Sequence, residues 1–107
     1  MFEFFKKMFP APGKSITTTE LEGVLSKKKI TLLDVRTPQE YHGGHIKEAR
    51  NFPLDQIHTY QAPKDKTVYV ICQSGMRSKR AANVLSKKGY DVINVKGSMM
   101  AYKGKTI

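Results

Sequence analysis

The sequence predicts an α/β domain with a central, mainly parallel sheet flanked by helices, and three observations carry that expectation. Three short apolar runs, ITLLDV at 30–35, TVYVIC at 67–72 and YDVINV at 90–95, are rich in β-branched and aromatic residues and read as strands. Between the second and third lies SKRAANVLSKKG, in which Ala81, Val84 and Leu85 form a helical stripe and Gly89 a natural stop. A strand, helix, strand unit of this kind implies neighbouring parallel strands, and apolar runs without alternation imply cover on both faces.

Taken in order, the chain opens with MFEFFKKMFP, where Phe2, Phe4, Phe5, Met8 and Phe9 stand beside Lys6 and Lys7. Such a pattern suits a membrane surface but is too short to anchor firmly. The expectation is an aromatic and basic N-terminal arm, residues 1–14, covering part of the domain that occupies 15–107. Pro10, Pro12 and Gly13 mark the end of the arm. Thr17 and Thr19 each precede a glutamate by three residues, Glu20 and Glu22, the capping-box spacing, so a helix is expected from near Thr18. Leu21, Val24 and Leu25 follow at helical spacing, and Lys27, Lys28 and Lys29 suit the negative end of the helix dipole. Between the first two strands Pro38, Gly43, Gly44, Pro53 and Pro63 divide the chain into short pieces. A helical turn is expected at Gln39 to His42 and another helix around Leu54 to Tyr60. The last helix of the strand, helix, strand unit is expected to begin near Ser78.

A chain of 107 residues fits one domain. Nineteen Lys and Arg against nine Asp and Glu give a net charge of +10, so the surface should attract anions. The lysine pairs 87 with 88 and 103 with 105 read as solvated surface, since nucleic-acid binding needs one basic stripe with stacking aromatics. The single cysteine, Cys72, excludes an intrachain disulfide and a multi-cysteine metal centre, and suits a reducing, cytoplasmic setting. No stretch approaches the roughly 18 apolar residues of a membrane-spanning helix.

Cys72 closes the second apolar run and is followed by Gln73, Ser74, Gly75, Met76 and Arg77 before a helix. In open α/β sheets, ligands bind beyond the carboxyl ends of the strands, where a loop entering a helix aims several N–H groups at one point. A cysteine at the base of that ring should ionise easily, with the helix N-terminus, Arg77, Lys79 and Arg80 all favouring the thiolate. Gly75 suits a tight loop because it adopts positive φ. The competing reading, an inert buried thiol, does not call for a polar, cationic, glycine-containing loop directly after it. Asp34 and Arg36, at the carboxyl end of the first run, can approach the same crevice. Asp34 is expected to bond a backbone turn. Arg36 either binds an anionic donor or anchors the following loop, and Glu40 either pairs with Arg77 or is solvated. His45 is expected to bond the backbone rather than act as an acid or base.

The ordered motifs Leu33-Asp34-Val35-Arg36, Glu40-Tyr41, Gly44-His45-Ile46, Ala49, Asn51-Phe52-Pro53 and Cys72-Gln73-Ser74-Gly75-Met76-Arg77-Ser78 resemble a single-domain rhodanese, from about Ile16 to Gly104. The resemblance implies a three-layer fold and sulfurtransferase chemistry without metal or organic cofactor. Cys72 would attack a small anionic donor such as thiosulfate, become a persulfide, and pass sulfur to a thiol or cyanide-like acceptor or to a protein partner. Gln73 to Arg77, with Arg36, would bind the donor, and Asp34 and Glu40 would support the site. The alternative is a persulfide carrier or sensor with an exposed thiol serving one protein partner. A phosphatase or arsenate reductase ranks lower, because Cys72 and Arg77 enclose four residues whereas those enzymes resemble a ring enclosing five. Four departures from the family pattern stand out. Glu48 and Ser98 replace glycines, Tyr102 replaces tryptophan, and Gln73 takes an often cationic position.

Overall fold

A computed structural model describes residues 14–107, so the expectations for the arm over residues 1–13 lie outside the described residues. The elements are β1 (Ser15–Ile16), α1 (Thr18–Lys27), β2 (Thr31–Asp34), α2 (Pro38–His42), β3 (Ala49–Asn51), a 3₁₀ helix (Leu54–Thr59), β4 (Val68–Ile71), α3 (Met76–Lys87), β5 (Val92–Val95) and α4 (Ser98–Ala101). The strands form one sheet in the order β1-β5-β4-β2-β3, with every pairing parallel.

The three apolar runs are the three inner strands, and each feeds both faces of the sheet. Leu33, Val35, Val68, Val70 and Val92 pack with Ala81 and Leu85 of α3 and with Ile57 of the 3₁₀ helix. Leu32, Tyr69, Ile71 and Val95 pack the other way, with Leu21 of α1 and with Ile46 and Ala49. Helix, sheet and helix thus make three layers. Each fully buried Leu, Ile or Val contributes about 1.5–3 kcal/mol relative to exposure. Tyr102 packs against the second of these clusters, completing the core.

Local rules account for most element boundaries. Helix α1 starts on the Thr17 capping box, in which the Thr17 hydroxyl accepts from the Glu20 amide at 3.0 Å and the Glu20 carboxylate accepts from the Thr17 amide at 2.8 Å. The second Thr-to-Glu spacing, Thr19 to Glu22, falls inside the helix, past the residue at which the chain enters it, so Thr17 rather than Thr19 is the cap. Helix α2 carries the same device at Thr37 and Glu40, with Pro38 in its first turn.

Four details differ from the sequence expectation. Helix α3 begins at Met76, two residues before Ser78, because Gly75 at φ 113° turns the chain tightly enough to serve as the cap. The helix expected over Leu54 to Tyr60 is a 3₁₀ helix, with Gln56 bonding back to Pro53 and Tyr60 to Ile57 across three residues. The short strands β1 and β3 were not expected. Their extended form comes from pairing with β5 and β2. Among the described residues no helix is long and apolar enough to cross a membrane.

The register sets the site. Asp34 at the end of β2 lies opposite Ile71 at the end of β4, so the segments carrying Arg36 and Cys72 leave the sheet side by side.

Candidate active site

Cys72 is the first residue beyond β4, and the chain turns there from sheet to helix. Its sulfur meets four polar groups. The Gly75 amide donates to Sγ at 2.9 Å, the Ser78 hydroxyl lies 3.4 Å away, and the Ser98 hydroxyl lies 3.6 Å away. The amide of Ser78, in the first turn of α3, adds a fourth favourable interaction. Burial pushes the thiol up, but these hydroxyls and amides outweigh it, so Cys72 ionises below its ordinary 9.0.

The thiol is not exposed, as the carrier reading supposed: Cys72 is 0% accessible and forms part of the core. The physical reason is that the loop folds back over the sulfur to bring the Gly75 amide against it, closing the cradle. Ser74 and Met76 face solvent above it, with Met76 72% exposed. Of the expected ring from Gln73 to Arg77, Gly75 bonds the sulfur directly.

Gln73 plays another part. Its side-chain oxygen accepts from Arg36 Nη1 at 3.2 Å. Arg36 is buried and its guanidinium also donates to Asp34 and, at 2.8 Å, to the Gly44 carbonyl. Asp34 also accepts from the Arg36 amide at 3.0 Å, the backbone turn expected of it. Of the two roles foreseen for Arg36, this geometry supports anchoring: one side chain ties the end of β2, the Gly44 turn and the cysteine loop together.

Glu40 and Arg77 meet in a two-pronged ion pair, Nη1 to Oε1 at 2.6 Å and Nη2 to Oε2 at 2.9 Å. The pair joins α2 to α3 across the mouth of the loop. The Arg77 bonds, with smaller help from Thr37 and against the cost of burial, hold the Glu40 carboxyl down to about 2 from its ordinary 4.5. A carboxylate with a lowered folded pKa stabilises the fold fully above about pH 4.5, and that contribution is lost as pH falls through about 2. Glu40→Gln keeps an acceptor for the α2 capping box and removes the charge. Its denaturant midpoint should lie slightly below wild type at neutral pH and converge with it near pH 2. The difference is modest because both side chains are about one-third exposed.

His45 bonds the Tyr41 carbonyl through Nδ1 at 2.8 Å and stacks on the Tyr41 ring, the backbone role expected of it. Lys79 and Arg80 are exposed on the first turns of α3. Sequence reasoning did not anticipate the two serines beside the sulfur. Ser78 directly follows Arg77 and was legible as a helix-start hydroxyl, whereas Ser98 comes from a different element and its only signal was its place where the family pattern has glycine.

Fold and loop together define a class: an α/β domain with a cysteine at the carboxyl edge of a parallel sheet, in a ring that encloses four residues before its arginine. The chain belongs to the rhodanese-like domain family, whose model matches residues 17–105. It is 44% identical over 92 residues to the uncharacterized protein YqhL of Bacillus subtilis, covering 83% of this chain and 73% of that protein. It is 35% identical over 96 residues to the putative sulfurtransferase YtwF of Bacillus subtilis, covering 87% and 93%. Among solved structures, a rhodanese-like domain protein from Staphylococcus aureus superposes with a TM-score of 0.77 at 35% identity, over 86% of this chain and 93% of that one.

Proposed function

We propose that this domain is a sulfurtransferase that moves a sulfane sulfur from a small anionic donor such as thiosulfate to a thiophilic acceptor through a persulfide on Cys72. The Cys72 thiolate attacks the outer sulfur of thiosulfate, a new S–S bond forms, and the donor's own S–S bond breaks with its electron pair leaving on sulfite. The acceptor, a thiolate or cyanide, then attacks the terminal sulfur of the persulfide and releases the Cys72 thiolate. The main-chain amides of the cradle stabilise negative charge on sulfur in both states. The observation that carries this reading is the Gly75 amide donating to Cys72 Sγ at 2.9 Å, a contact an inert thiol does not need.

Phosphate chemistry is disfavoured by a second observation. The guanidinium fork of Arg77 is filled by the Glu40 carboxylate rather than turned free into the ring.

A protein acceptor is favoured by the rim. Met76 and Met100 are each 72% exposed, and both adjoin the loop: Met76 lies within it, and the Met100 amide bonds the Gln73 carbonyl at 3.0 Å. An apolar rim of this kind suits a protein surface delivering or accepting sulfur. Because the sulfur is buried, the loop must open for the donor to reach it.

The test is intact mass after exposure to thiosulfate. Wild type should gain one sulfur, about 32 Da, and Cys72→Ala none. An unchanged wild-type mass with thiosulfate and with a low-molecular-weight persulfide would overturn the reading.

A further inference from the structure

Ser98 stands in an unfavourable backbone conformation beside the reactive sulfur. It is fully buried and holds φ at +52°, a left-handed value disfavoured for any residue with a Cβ, immediately after Gly97 at φ +84°. Its hydroxyl has three neighbours. It accepts from the Cys72 amide at 3.2 Å, donates to the Val95 carbonyl at 3.2 Å, and lies 3.6 Å from Cys72 Sγ. One hydroxyl carries one proton, which cannot serve the carbonyl and the sulfur together.

We propose that Ser98 is a positioning residue for the chemistry of Cys72: its oxygen fixes the main chain under the sulfur, and its proton turns from the Val95 carbonyl to the sulfur when the sulfur is an anion. This rests on the reading of Cys72 as the nucleophile. The Ser78 hydroxyl has the same choice, between the Gly75 carbonyl at 3.1 Å and the sulfur at 3.4 Å. Two rotors therefore flank Sγ, each with a carbonyl to return to.

The charged groups around the sulfur do not supply this response. Arg77 on α3 is matched by Glu40 on α2, and Arg36 beyond β2 is matched by Asp34 at the end of β2. The helix α4 itself, Ser-Met-Met-Ala, carries no charge. The two arginines are thus paired whatever the state of the sulfur, Lys79 and Arg80 of α3 are exposed to solvent, and the hydroxyls are the groups beside Sγ that can follow its charge. In the persulfide the negative charge sits on the outer sulfur, so the Ser98 proton returns to Val95. Ser98 therefore favours the discharged thiolate over the loaded persulfide and helps set the balance between them. The energetic cost of its backbone is retained because glycine at this position would leave the Cys72 amide and the sulfur without that hydroxyl.

The experiment compares wild type with Ser98→Gly and Ser98→Ala, following thiolate ultraviolet absorbance against pH, with Cys72→Ala as blank, and the rate of iodoacetamide alkylation. Both variants should move the ionisation midpoint upward and, below that midpoint, slow alkylation about fivefold. Ser98→Gly should also be the more stable of the two, because it has no Cβ at positive φ. A role limited to the backbone predicts that Ser98→Gly keeps the wild-type midpoint, and that result would overturn the proposal. Should Ser98→Ala not fold, Ser98→Gly alone decides. Failure of wild type itself to ionise or alkylate below the range of an ordinary thiol would overturn the reading of Cys72, and is read without any Ser98 variant.

Discussion

Cys72→Ser is expected to reduce sulfur transfer from thiosulfate by about 10⁴-fold or more, the scale on which removal of a covalent nucleophile acts. The substitution is nearly isosteric, so the fold should survive it with a small loss from placing a hydroxyl at a fully buried position. The chemistry does not survive. A serine hydroxyl ionises far above any working pH, and oxygen has little affinity for the outer sulfur of a donor. The Gly75 amide and the Ser78 and Ser98 hydroxyls would still surround the atom, but they stabilise an anion that serine does not form. Turnover with thiosulfate and cyanide, measured beside thermal unfolding, separates loss of the nucleophile from loss of structure. Turnover retained within tenfold of wild type would show that the sulfur is not the reacting atom.

Asp34→Ala is expected to destabilise the fold by about 3–5 kcal/mol, because it leaves the Arg36 guanidinium buried without its counter-charge. The pair is closed from solvent, with side-chain exposures of 5% for Arg36 and 0% for Asp34. Only the Gln73 side-chain oxygen and the Gly44 carbonyl would remain as acceptors for that charge. Against a total stability of about 5–15 kcal/mol for a domain, the loss is large enough to populate the unfolded state. Chemical denaturation measures it directly. Replacing both partners with apolar residues, Asp34→Leu with Arg36→Met, should recover much of the deficit, since the cost comes from an orphaned charge rather than from the absence of a pair. The double variant would still release Gln73, so loop geometry, read by Cys72 reactivity, should remain impaired while stability returns.

The inner strands were legible because each is a run of β-branched and aromatic residues long enough to be covered on two faces, and the observed cores of β2, β4 and β5 fall within those runs. Strands β1 and β3 were not legible. Ser15–Ile16 and Ala49–Asn51 contain two and three residues of mixed character, and their extended form is imposed by the neighbours they pair with. The position of Cys72 could be read because strand, glycine-bearing loop and helix follow one another in sequence. The pairing of Glu40 with Arg77 was foreseen as one of two alternatives, since sequence alone gives no distance between α2 and α3. Ser98 lay beyond reach for a related reason: it is 26 residues from Cys72, and its approach depends on Gly97 and Ser98 both adopting left-handed backbone. Burial of the sulfur also escaped sequence reasoning, because a polar loop signals solvent until it is seen to fold back over its own first residue.

The pH profile of Cys72 alkylation in the native wild-type protein tests the anionic cradle most directly. A midpoint below the ordinary thiol value of 9.0, with rates well above those of global unfolding, is the expected result. A midpoint at or above 9.0, or labelling that proceeds only as fast as the protein unfolds, would contradict it.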